Sequence, residues 1–201
     1  GILAGKTLLE VRKTESVDAD KGPQVWLIEL HTRSNRVMSL LYDVNDRAWS
    51  RVDVKAGFSR FYRIVKQEGG LKSEERIKPT YDIGNMAALY ERPRADGQWR
   101  RQTIPLAGKA LDPLAALYYL RAVDLSKLQP GDAIRLPICA DRRLWNMALR
   151  ITERLPAQNI GCLKDRDCVV VEPDAEFQGL FERKGRMLIW LDAATNIPLK
   201  M

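Results

Sequence analysis

Long apolar runs are missing from this sequence. Nowhere does it offer the roughly 20 continuous apolar residues that a helix needs to cross a bilayer. A basic segment leading into an apolar core, the mark of a secretory leader, does not open it either. The first residues, GILAGKTLLEV, already read as a strand, so the expectation is that a leader or a few residues were removed upstream. Histidine is almost absent: His31 stands alone, flanked by Glu29 and Thr32 in a strand-like run. A Cys–His pair would need Cys139, Cys162 or Cys168 to meet it across the fold. There is no G-x-S-x-G elbow for a serine nucleophile. Gly69, Gly70 and Gly84 sit in connections, and no G-x-G-x-x-G or G-K-[ST] pattern provides a phosphate loop. No cofactor is expected on these grounds.

Cysteine is scarce as well. Cys162 and Cys168 enclose five residues, LKDRD, which is outside the two-to-four-residue spacing of a zinc site. No metal is expected. Two readings of that pair stay open: a Cys162–Cys168 disulfide across a tight hairpin, suited to an oxidising compartment, or a buried Cys168 thiol heading the strand CVVVE. Cys139 has no partner in either.

What is present is charge of one sign and alternation. Subtracting 26 acidic from 33 basic residues leaves +7, spread among RPRADGQWRR, ADRRLW and FERKGR. A distributed excess favours solubility and attraction to anionic surfaces, lipid or anionic glycan ahead of nucleic acid. Arg and Trp interleave in GQWRR and DRRLW. That pattern suits stacking on sugars or bases, but it also describes tryptophans rimming a β core beneath solvated arginines. One carboxylate group merits attention: Glu172, Asp174 and Glu176 alternate in VEPDAEF, at a spacing compatible with acid–base chemistry, although Pro173 interrupts the strand.

Runs of five to eight residues with period two recur along the chain. QVWLIELHTRS puts Trp26, Ile28 and Leu30 on one face. RVMSLLYDV, the stretch from DRAWS to KQEGG, Ala87–Glu91, Trp99–Ile104, DAIRLPIC, CVVVEPD, GLFERKG and RMLIWLD continue the series, and RRLWNMALRITERL reads as a strand in preference to a short helix. Pro93 marks an edge or a strand end, and Pro198 belongs at the start of the last strand. RMLIWLD is apolar on both faces, so both must be covered. LDPLAALYYLRAVDL breaks the pattern: Asp112 is an N-cap, Pro113 fits the first helical position, and Leu114, Leu117, Tyr118 and Arg121 share one side. The expected fold is mainly β, a single domain over residues 1–201. It is a curved antiparallel sheet or half-open barrel of about eight to ten strands with one embedded helix.

Three stretches together resemble the DUF3108 family of bacterial envelope proteins of unknown function. The opening carries Gly1, Gly5, Leu8 and Val11. The helix and its exit carry Asp112, Pro113, Leu114, Ala115, Tyr118, Tyr119, Leu120 and Arg121, then Pro130 and Gly131. The last third carries Cys168, Val171, Pro173, Phe177, Gly179, Phe181, Gly185, Ile189, Trp190, Leu191, Ile197 and Pro198. Ala115 stands where the family often has serine, and the middle, residues 60–105, matches loosely. The resemblance implies a periplasmic or otherwise secreted location and permits a disulfide. It brings only a fold-level analogy to the half-barrel lipoprotein carriers of the Lol system, and no catalytic residues.

The function expected first is non-enzymatic: an envelope protein that binds or carries an apolar or amphipathic ligand in the concavity of its sheet. Arg100, Arg101, Arg121, Arg142 and Arg143 would be at the rim, with Trp145 and Trp190 inside. The alternative is a structural or interaction module recognising an envelope protein or glycan. A hydrolase ranks third.

Overall fold

Among the described residues the period-two runs become twelve antiparallel strands, divided between two sheets. The structure, a computed structural model, describes residues 5–14, 24–53, 55–82, 84–161, 163–173 and 187–201. The first sheet is a seven-stranded meander in chain order: β1 (Gly5–Thr14), β2 (Val25–Ser34), β3 (Asn45–Asp53), β4 (Ser59–Glu68), β5 (Leu71–Asp82), β6 (Asn85–Pro93) and β7 (Trp99–Pro105). The second contains β8 (Ala133–Ala140), β9 (Arg143–Ile160), β10 (Leu163–Pro173), β11 (Ile189–Asp192) and β12 (Pro198–Lys200), in the order β12-β11-β10-β9-β8. The mainly β class, the antiparallel pairing and the single embedded helix agree with the sequence reading. The partition into two sheets refines it. The connection from β7 to β8 carries the helix instead of a tight turn, so the two strands do not pair directly.

Two local expectations change. RVMSLLYDV does not form a strand; it forms a 3₁₀ turn over Met38–Leu40. The Asn35 side chain accepts from the Val37 and Met38 N–H groups at 3.0 and 2.8 Å, and this local bonding outcompetes a ladder. Conversely, IKPTYD belongs to β5 despite Pro79. Pairing with β4 stops at Ile77, so the missing N–H costs no ladder bond on that side. Pro93 and Pro198 sit at strand ends as expected.

The helix α1 (Pro113–Tyr119) continues into a 3₁₀ turn, Leu120–Ala122. Asp112 caps it: the carboxylate accepts from Leu114 N and Ala115 N, both at 2.9 Å. The helix lies against β2, β3 and β8 and so touches both sheets. Burial therefore goes beyond one stripe, since Ala115 and Ala116 are as buried as Leu114. Ile28, Tyr62, Ile77 and Tyr90 from the first sheet join α1 and Ile138, Ile151, Val169 and Leu191 from the second in one core. The concave side of the first sheet is filled by helix and second sheet.

Candidate functional site

Alternation along β7 sends Arg100 and Arg101 to opposite faces. Arg101 lies on the outer face and is tied up: its Nε donates to Glu91 at 3.1 Å, and Lys78 approaches the same carboxylate at 2.6 Å. Those cations hold the Glu91 carboxyl below its usual range, Lys78 first. Arg100 and Gln102 lie on the inward-facing side, paired across the ladder with Arg92 and Tyr90.

The β8–β9 hairpin reaches this edge. Ala140 pairs with Arg143, leaving a two-residue turn, Asp141–Arg142, with φ of 43° and 64°. Positive φ at both positions makes it a type I′ turn, which usually takes Asn-Gly. Here two side chains with Cβ atoms occupy it, and strain of this kind concentrates at functional sites. Gln102 Nε2 donates to the Arg142 carbonyl at 3.3 Å, docking the turn on β7. Arg143 stacks on Trp145, its guanidinium carbon 3.5 Å from the ring centre, while Trp145 Nε1 donates to Ala140 O at 3.0 Å. Gln102, Asp141, Arg142 and Arg143 line an open hollow of about 380 Å3. Arg142 meets Asp141 only at 3.6 Å. Among the described residues no carboxylate pairs with Arg92, Arg100 or Arg143.

Beneath the seam, the Tyr90 hydroxyl is buried and makes no hydrogen bond among the described residues. Burial pushes its pKa up, and the neighbouring Glu75 carboxylate adds to the effect, while Arg92 and Arg142 oppose it. Those two arginines therefore project their field into the same spot.

The structure thus gathers Arg142, Arg143 and Trp145 beside the β7 edge that carries Arg100, and separates the other predicted site residues from them. Arg121 lies at the helix exit, over the Tyr118 ring at 5.3 Å. Trp190 is half-buried under Lys200, 4.4 Å from its ring. Trp145 and Trp190 are therefore half-buried tryptophans each covered by a cation, and Trp145 packs against the filled core. Cys162, Asp174 and Glu176 lie outside the described residues; Cys168 is buried, and Glu172 faces Arg150 across β9. Gln102, Asp141 and Tyr90 were missed. The two-residue gap between ICA and RLW was the available signal for a turn.

Elsewhere, His31 Nε2 donates to Asn45 Oδ1 at 2.8 Å. It borders a depression of about 250 Å3 on the outer face with Leu8, Glu10, Glu29, Arg47 and Trp49. Asp112, fully buried, also accepts from Ser50 Oγ at 2.6 Å, and burial raises its pKa to about 6. Cys139 nearby is pushed up to about 12 by burial and by Asp112, so its thiol is protonated at neutral pH. Among the described residues no group of three or more His, Cys, Asp or Glu side chains converges as a metal site would require. No helix there is long and apolar enough to cross a membrane.

A family model described as "Protein of unknown function (DUF3108)" matches residues 1–201. No curated protein and no solved structure matches this chain.

Proposed function

Because this chain belongs to DUF3108, an envelope-associated family of unknown function, we propose that it recognises the anionic head of an amphipathic envelope constituent at the seam between β7 and the β8–β9 turn. The observation that carries this reading is the hollow lined by Gln102, Asp141, Arg142 and Arg143, beside guanidinium groups that pair with no carboxylate among the described residues. Arginine forks suit phosphate because two N–H groups reach two oxygens at once. Stacking Arg143 on Trp145 fixes its plane and lowers the entropy lost on binding. The filled core argues that apolar tails, if the ligand has them, stay outside the sheet, in contrast to a carrier that encloses them. The periplasm or another envelope compartment is the setting this reading requires.

Titration calorimetry with inorganic phosphate and with glycerol 3-phosphate tests it at low salt. Binding is expected, with R142A/R143A weakening it by about tenfold or more, the scale of a lost charge-assisted contact. Equal affinity in that variant, or no binding of either probe, overturns the seam. A second reading, an interaction module, rests on β1: among the described residues it pairs only with β2 and exposes Leu8, so its free edge could accept a partner strand. Binding of an extended peptide that is lost on placing proline in β1 would favour it.

A further inference from the structure

One end of the first sheet carries apolar side chains where a water-facing loop should be polar. Between β2 and β3, Val37, Leu40, Leu41 and Tyr42 are 66%, 85%, 81% and 48% exposed, and Leu71, opening β5, is 80% exposed. These residues form one unit. Gly69 N donates to Asp43 O at 2.8 Å, and the Tyr42 hydroxyl donates to Glu68 at 3.3 Å. The Tyr42 ring also packs so closely on Gly69 that an added Cβ would meet it at 2.7 Å. The β2–β3 loop is thereby clamped to the β4–β5 turn, so that Leu71, the ladder partner of Glu68, lies at the same end of the sheet as the leucine pair.

The backbone beneath is ordered by its own bonds. Asn35 caps the turn through Val37 N and Met38 N, and Leu41 N and Tyr42 N both donate to Met38 O, at 3.0 and 2.8 Å. The leucines are thus held outward by a bonded scaffold. Around them Arg33, Arg36 and Lys72 are exposed and, among the described residues, form no ion pair. The acidic neighbours are engaged locally instead: Asp43 accepts from Ser34 Oγ at 3.2 Å and Asp46 from Gln67 N at 2.9 Å. Cations without ion pairs beside an exposed apolar cluster, with the interspersed carboxylates Asp43, Asp46 and Glu68 held in local hydrogen bonds, suit the boundary between acyl chains and anionic headgroups.

We propose that this end of the first sheet is a membrane-docking tip, seating Leu40, Leu41 and Leu71 in the interfacial layer of a bilayer that carries anionic lipid. The charge pattern selects the bilayer over a second copy of the chain, because a two-fold contact would bring the unpaired Arg33, Arg36 and Lys72 of both copies together. The tip is formed by β2–β5 and does not depend on the seam at β7. It attaches the protein to a surface without spanning it.

Sedimentation of the full chain with vesicles of phosphatidylcholine alone, and with about one-third phosphatidylglycerol added, provides the test. Partitioning onto the mixed vesicles is expected. L40S/L41S should lower it by about tenfold or more, since each leucine contributes buried apolar area. R36E/K72E should weaken binding to the mixed vesicles and leave the weaker phosphatidylcholine binding within about twofold. Both pairs change exposed side chains, so thermal unfolding should match the parent chain, and a change there would be visible independently. Absence of binding to either vesicle, or unchanged partitioning of L40S/L41S, overturns the proposal. So does concentration-dependent dimerisation that L40S/L41S abolishes while vesicle binding is absent.

Discussion

Replacing Asp112 by asparagine should remove a pH-dependent penalty that the fold carries at neutral pH. The carboxylate is fully buried, and among the described residues no cation pairs with it. It receives hydrogen bonds from Ser50 Oγ, Leu114 N and Ala115 N, yet burial outweighs them and its pKa rises to about 6, from 3.8. A raised native pKa means that the folded chain holds the proton more tightly than the unfolded chain. Stability therefore falls as pH rises from about 4 to about 6, and the loss is complete at pH 7. Two pK units correspond to about 3 kcal/mol. Asparagine keeps an oxygen for the two backbone donors and carries no charge. D112N is thus expected to be as stable as the parent at pH 4 and more stable at pH 7, by up to about 3 kcal/mol. D112A separates charge from capping: at pH 4 it should lose about 2–4 kcal/mol, through the missing cap and the stranded Ser50 hydroxyl. Urea unfolding followed by tryptophan fluorescence across that range reads both. Asp46, also raised to about 6 by burial and the nearby Glu68, titrates in the same window, so the difference between chains is the informative quantity. A D112N chain that keeps the parent's slope, or that loses more than about 2 kcal/mol at pH 7, would refute the assignment of the penalty to this group.

Further expectations concern the turns and the thiols. R142G relieves a left-handed backbone costing about 1–2 kcal/mol, less about 0.4–1 for glycine's extra freedom when unfolded. It should therefore leave the melting temperature unchanged or raise it by up to about 6 °C while weakening phosphate binding; a lower melting temperature would contradict the strain. G69A meets both a φ of 55° and the Tyr42 ring; a loss of about 1–3 kcal/mol by urea unfolding is expected, and a neutral result would deny the clamp. Cys139 and Cys168 are free, buried thiols. Ellman titration of the unfolded chain without reductant should return three thiols; a single thiol would establish the Cys162–Cys168 bridge.

The parts legible beforehand were those written locally. Asp112-Pro113 announces the helix because a cap and a proline at the first position act within one turn. Alternation in QVWLIEL or RMLIWLD announces strands for the same reason. Partner choice is not local: nothing in β7 or β8 says that their connection will carry a helix between two sheets. Whether a concavity is hollow depends on volumes summed over elements far apart, such as Tyr62, Tyr90 and Leu114. The seam was half visible. Arginine pairs at 100–101 and 142–143 stand out, but alternation splits the first pair between faces, and a turn made of Asp-Arg lacks the usual glycine. The apolar tip was hidden because RVMSLLYDV has the composition of a strand. The Asn35 side chain and the backbone bonds to Met38 O divert it.

Asn196 donates its side-chain amide to Leu120 O and Val123 O at 3.2 and 2.8 Å, from 76 and 73 residues away. At the other end, Ser50 reaches Asp112 from 62 residues earlier. A seven-residue helix is too short to hold itself together in water. The segment with the clearest local code is thus finished only by strands that arrive from both directions. Excised as a peptide it should be coil, and in the intact chain it should order late, after distant ribbons have met. The embedded helix works as the clasp of this molecule, held shut by residues that the chain delivers from both sides of it.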